Sequence, residues 1–170
     1  MSAEQREYSG AALNSFILAL GHARDVIQKI LADAGVERID PQQWYDFVWA
    51  RDIYFKIGAQ VGRGALIEVG RRMVETAEYP PGIDDIPTLL TSLDAAYRLN
   101  ARGPDIGEIR CTIEDQHSAT LTWTPAFPCE LNIGILEGSC SRYGAKALVE
   151  HGSGGCVNDG APSCTYHVSW

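Results

Sequence analysis

Apolar residues recur three and four apart from Ser9 to about Ala34, at Leu13, Phe16, Ile17, Leu20, Ile27, Ile30, Leu31 and Ala34. That spacing predicts one long amphipathic helix, stopped by Gly35. Residues 1–8 precede it and are expected to fray. Arg24 falls inside the apolar stripe, which predicts a partner charge or a subunit interface there, while His22 falls on the opposite face. Asp40-Pro41 reads as a helix start, with Asp as cap and Pro in the first turn, and Trp44, Phe47 and Val48 follow on one face. Asp52 to Ala77 is helical but carries Gly58, Gly62, Gly64 and Gly70. A break is expected near Gly62–Gly64, since each Gly costs about 1 kcal/mol inside a helix. Tyr79-Pro80-Pro81-Gly82 ends this section. Asp84 or Asp85 caps the next helix, which runs through Leu89, Leu90, Leu93, Ala96 and Leu99 to Gly103-Pro104.

From Gly107 the period changes to two. Ile109, Cys111 and Ile113 share one strand face, and Ala119, Leu121 and Trp123 share another after a turn around Asp115–Ser118. Glu130 to Tyr143 returns to helical spacing. Ala145 to His151 and Ser163 to Trp170 alternate again, with a Gly/Asn/Asp-rich loop between them. The predicted fold is α+β: N-terminal helices packed on a four-stranded antiparallel sheet, with a helix between the two strand pairs. A single domain over residues 1–170 is expected, mainly helical to residue 106 and sheet plus one helix over 107–170.

Charge narrows the partners. The chain has 170 residues and a net charge of −8, from 14 basic and 22 acidic side chains. It has no basic run, so binding to nucleic acid or an anionic membrane through a broad basic surface is not expected. No apolar run reaches the roughly 18–20 residues of a membrane span. The polar, acidic start of the chain does not read as a signal peptide, so a cytoplasmic setting is expected. Thiols stay reduced there, and the odd number of cysteines, 5, reads as core residues, metal ligands or reactive thiols before it reads as disulfides.

The chemistry is concentrated in the last quarter. Cys156 and Cys164 bracket the Gly-rich loop, His151 ends the preceding strand, and Cys129 starts the helix that leads to it. An antiparallel strand pair would gather these groups at one end of the sheet. Three cysteines and a histidine form a common tetrahedral zinc set. The competing readings are small buried hydrophobes with a surface histidine, or a Cys156–Cys164 disulfide. Cys140 and Cys111 read as packing. Trp44, Tyr45, Phe47, Trp49, Tyr54 and Phe55 crowd into twelve residues. They read as a helix–helix core or as the wall of an apolar pocket. On the second reading Trp44, Phe47, Tyr54 and Phe55 line it, and Trp123 closes one side. Glu130 and Glu137 read as a solvated helix face. No nucleophile elbow, HExxH pair or dinucleotide fingerprint is present, so an enzyme has no recognisable acid/base set. A haem needs an axial His, Cys or Tyr in an apolar pocket. His22 on its outward face and His117 in a hairpin turn argue against one.

The order G-I-L-E-G-x4-Y-G, V-E-H, C-x7-C-x-Y-x-V-x-W over residues 107–170 resembles the C-terminal half of the 4-vinyl reductase domain family. That family is related to small subunits of the Golgi transport-particle tethering complex and, distantly, to haem nitric-oxide-binding domains. The resemblance implies a cytosolic, often dimeric module that encloses a hydrophobic small molecule. In the family's sensors zinc is held by three cysteines and a glutamate, matched here by Cys129, Cys156 and Cys164. Ser153 stands at the glutamate position, and His151 is the available substitute. The expected function is therefore a ligand-binding sensor or carrier with a structural zinc, acting as a homodimer or through a separate signalling partner. The alternatives are an enzyme or accessory factor acting on a tetrapyrrole or other hydrophobic substrate, a haem-based gas sensor, and an assembly subunit.

Overall fold

The chain was analysed as a computed structural model that describes residues 5–170. Its first element corrects the expectation of a frayed start, as far as that start is described. Glu7–Ser9 forms β1, the middle strand of a three-stranded antiparallel sheet between β2 (Trp44–Asp46) and β3 (Ala101–Arg102). Tyr8 lies opposite Tyr45 and Ala101 and is buried. Strands this short carry no alternation that a sequence pattern can show. Residues 1–4 lie outside the described residues.

The predicted long helix is two. Helix α1 (Gly10–Ala19) is capped by Ser9, whose Oγ accepts the Ala12 N–H at 3.1 Å. A 3-10 turn at Gly21–Ala23 then re-aims the chain into α2 (Arg24–Asp33). The turn falls among the six residues between Leu20 and Ile27, none of which is fully buried. Arg24 is exposed and has no ion pair among the described residues.

The third helix starts later than Asp40-Pro41 suggests. Asp40 closes a turn, accepting the Gln42 N–H at 2.9 Å, and Trp44 is drawn into β2. Helix α3 (Phe47–Val61) is capped by Asp46, whose carboxylate accepts the Trp49 N–H at 2.8 Å. Asp46→Ala is expected to cost about 1 kcal/mol and to lower the midpoint of thermal unfolding by about 2–4 °C, measured by circular dichroism.

The glycine break is present. Gly62, at φ 115°, separates α3 from α4 (Arg63–Thr76). Asp85 caps α5 (Ile86–Thr91), and a kink at Ser92 leads into α6 (Leu93–Asn100). Then come β4 (Ile109–Asp115), β5 (Ser118–Trp123), α7 (Cys129–Ser141), β6 (Leu148–His151) and β7 (Cys164–Ser169). The four strands pair antiparallel in the order β4-β5-β7-β6. This is the α+β arrangement read from the periodicity, with α7 between the two strand pairs. The buried face of the central strands carries Ala119, Leu121 and Trp123 from β5 and Cys164, Tyr166 and Val168 from β7.

Close backbone approach occurs between α4 and α7, at Gly70, Gly134 and Gly138. A Cβ at Gly134 would overlap the Ile67 carbonyl, and one at Gly138 would lie 2.8 Å from the Arg71 oxygen. This contact fixes where the first residues of α7 stand.

Candidate functional site

The four residues picked out at the end of the chain are brought together. Cys129 is the first residue of α7, His151 the last of β6 and Cys164 the first of β7, while Cys156 lies in the loop between the two strands. The β5–β7 and β6–β7 registers place Cys164 opposite Trp123 and His151 opposite Tyr166. The ligand atoms of Cys129, His151, Cys156 and Cys164 all lie within 4.8 Å of one another. Cys156 and Cys164 are free thiols with their sulfurs 3.8 Å apart. Cys129 and Cys164 are buried, Cys156 is half-buried and His151 is exposed.

Electrostatics divide the thiols. Burial raises Cys129 and Cys156, and the Cys164 sulfur pushes both the same way. Burial also opposes ionisation of Cys164, but its polar neighbours Tyr166, the Val157 N–H and His151 outweigh it and hold this thiol below its ordinary value. His151 is raised in turn, chiefly by its hydrogen bond to Cys164. The group thus sets one thiol whose ionisation is favoured beside an imidazole and two thiols whose ionisation burial opposes. Cys111 and Cys140 lie elsewhere, each pushed by burial up to about 11.

Several supporting residues escaped the sequence reading. Asn158 accepts the Cys129 N–H at 2.9 Å and donates to Glu130 at 2.9 Å. Glu130 also pairs with Arg63 at the start of α4. It is only 5% exposed, so the solvated face expected of it is corrected. Glu137 does meet solvent, paired with Arg71 at 2.8 Å. The Tyr166 hydroxyl donates to Cys129 Sγ at 3.2 Å and accepts from the Asn132 amide at 3.2 Å. The only sequence signal for these two was position: Asn132 lies one helical turn after Cys129, and Tyr166 two residues after Cys164.

Beyond Tyr166 lies an apolar cavity of about 50 Å³. Tyr8, Met73, Tyr79, Tyr97, Trp123 and Asn132 contribute to its wall. Of the five aromatics expected around a pocket, Trp123 lies here. Phe47 and Tyr54 stand one layer behind, packed edge-on against Tyr8 and Phe127 at 5.3–6.3 Å. Trp44 carries the Arg102 guanidinium 4.0 Å above its ring, and Phe55 is 38% exposed. The crowded aromatic run follows two helix faces and a strand, which sends its rings to different places.

No family model matches the sequence, and no curated protein matches it. Solved structures do. An H-NOX protein studied for the function of haem distortion is 19% identical and superimposes with a TM-score of 0.72, over 95% of this chain and 94% of that one. An oxygen-binding H-NOX domain related to soluble guanylate cyclases gives 0.69 at 19% identity over the same shares. The H-NOX protein of S. oneidensis, in its Fe(II)NO state, gives 0.69 at 14% identity over 95% and 98%. The fold is that of the H-NOX domains. This supports the distant relation to haem nitric-oxide-binding domains and corrects the narrower assignment to 4-vinyl reductases, which nothing in the comparisons supports. It also corrects the setting aside of haem as a cofactor, while the Cys/His group keeps the make-up of a metal site. That judgement weighed two histidines alone, and the structures sharing the fold are described as haem proteins.

The residues around the cavity fit a haem in part. Among the described residues no histidine lines it: His22, His117 and His167 are exposed and His151 sits in the cysteine group. Phenol oxygens can ligate haem iron, and Tyr8, Tyr79 and Tyr97 face the cavity. Burial raises all three, Tyr97 in addition donating its hydroxyl to the Ile106 carbonyl at 2.5 Å. The volume is well below the roughly 300–1,000 Å³ of sites for larger ligands, so a porphyrin would require the cavity to open. Among the described residues no helix is long and apolar enough to cross a membrane.

Proposed function

We propose that this chain is a small-ligand sensor domain, in which an apolar cavity and a metal centre share one wall. The observation that carries this is the convergence of Cys129, His151, Cys156 and Cys164 within 4.8 Å, directly beside the cavity residue Trp123. Three sulfurs and one nitrogen suit a tetrahedral cation, zinc before others, which supplies a fixed crosslink and no redox chemistry. The centre would tie the start of α7 to the ends of β6 and β7. The cavity in this form accepts a ligand of a few heavy atoms, the size class of the oxygen and nitric oxide carried by the neighbours that share the fold. Signalling would pass through a homodimer or a separate partner.

Haem-based gas sensing is the reading that the comparisons favour, since the neighbours sharing the fold are haem proteins. Tyr97 is then the proposed axial donor, because it faces the cavity and, among the described residues, its hydroxyl donates to a backbone carbonyl alone. Titration with haemin, followed by absorption, separates the two. The haem reading expects one Soret-shifted equivalent per chain that Tyr97→Phe abolishes. An unshifted spectrum, with one zinc per chain by elemental analysis, leaves the first reading standing alone.

A further inference from the structure

We infer that Asn132 is a positioning residue for the metal centre, acting through Tyr166, so that the cavity wall and the thiolates form one hydrogen-bonded unit; this rests on the metal reading proposed above. The order of donors has a direction. The Asn132 amide donates to the Tyr166 oxygen at 3.2 Å, and the Tyr166 hydroxyl donates to Cys129 Sγ at 3.2 Å. Each member is buried: Asn132 is 1% exposed, Tyr166 0% and Cys129 5%. A buried phenol oxygen that has spent its proton on sulfur needs a donor of its own, and the Asn132 amide is the one present.

The chain of bonds is held rigidly. Asn132 and Cys129 lie three residues apart on α7, hence on the same face of the helix. That helix is locked against α4 at Gly134. Tyr166 is clamped by Trp123 at 6.2 Å and His151 at 5.4 Å, both edge-on. Its ring therefore separates the cavity from the centre, touching a residue of each. Asn132 itself lines the cavity. Its carboxamide has one N–H committed to Tyr166, which leaves its remaining polar atoms to a cavity occupant. The ligand class this favours is a small apolar molecule bearing one hydrogen-bonding atom. An occupant that pulls on the amide would loosen the donor to Tyr166 and, through it, the hydroxyl that steadies Cys129. Outer-shell partners of metal ligands are worth roughly 10–100-fold in metal affinity.

A double-mutant cycle on zinc affinity tests this, read by competition with a chromophoric chelator on the full chain. Tyr166→Phe keeps the ring and deletes the hydroxyl, and is expected to weaken zinc about tenfold. Asn132→Leu, close in volume, is expected to weaken it several-fold in the native background and to have no further effect beside Tyr166→Phe. In the cobalt-substituted protein the thiolate charge-transfer bands are expected to shift in both single variants. Equal effects of Asn132→Leu in the two backgrounds, or none in either, would overturn the inference while leaving the metal centre in place. A native protein that binds no zinc would overturn both. Circular dichroism establishes that each variant is folded.

Discussion

Stripping the metal from the purified protein is expected to lower its midpoint of thermal unfolding by about 10 °C or more, and Cys164→Ala should reproduce most of that loss without a chelator. The centre joins three pieces of chain at this end of the sheet, beside the hydrogen bonds of Asn158 and Tyr166 to Cys129. Helix α7 enters after Pro128, β6 is an edge strand of four residues, and a loop rich in glycine separates β6 from β7. Without a cation, three sulfurs are left converging on one point, two of them buried. Binding energies of structural zinc run to about 10–16 kcal/mol in small domains. A folded core retained by the rest of the chain would leave a few kcal/mol of that as lost stability. At about 2–4 °C per kcal/mol for a chain of this size, the expected shift follows. Scanning calorimetry with and without chelator measures it. A midpoint that does not move, with all five thiols titrating freely in the native state, rules out a bound metal.

The sign of the pH dependence follows from the same groups. Each ligand must lose its proton to bind, so zinc loading falls as pH falls through the range in which His151 and the thiols become protonated. His151, raised by its contact with Cys164, gives up the metal before an ordinary histidine would on acidification.

How much of this could be read from residues alone differs by region, for physical reasons. The second half was legible because its periods are clean. Ile109, Cys111 and Ile113 alternate, Leu121 and Trp123 alternate, and β4 to β7 appear where that alternation predicts. The metal-type group was legible because strand ends and a helix start are places that a topology brings together. The first half was less so. Nothing in Glu7–Ser9 announces a strand, since its partners are 35–39 and 93–95 residues away and its length is 3 residues. Asp40 and Asp46 are equally good helix caps by type, and only the pairing of β2 with β1 decides between them. The aromatic run misled because density of rings says nothing about direction. Tyr8, Tyr79 and Tyr97, scattered along the chain, meet at the cavity, whereas Phe55 points outward. Haem was set aside by asking where the histidines lie, a question about side chains. The likeness to the H-NOX domains lies in the backbone, on which the positions of histidines do not bear.

Gly134→Ala is expected to be among the most damaging single substitutions in the molecule, although it adds one methyl group to a residue type that helices prefer. In an isolated helix the change would be favourable by about 1 kcal/mol. Here the added Cβ would overlap the Ile67 carbonyl of α4 and come within 2.9 Å of Gly70 Cα. The obstacle is backbone on both counts, so no rotamer change relieves it, and α7 must withdraw from α4 as a body. Overpacking typically costs about 1–3 kcal/mol where side chains can adjust, and it should exceed that range where they cannot. Withdrawal carries a second consequence, because Cys129, Glu130 and Asn132 ride on the first turn of the same helix. Glu130 would part from Arg63, and Cys129 would leave the other three ligands. The variant is therefore expected to lose zinc and stability together, by elemental analysis and thermal unfolding on one preparation. Gly64→Ala serves as the control, since a Cβ there meets nothing within 4 Å. It should be neutral or slightly stabilising. A folded Gly134→Ala protein with native stability and a full metal complement would mean that α4 and α7 do not touch as closely as described, and the placement of Cys129 would have to be drawn again.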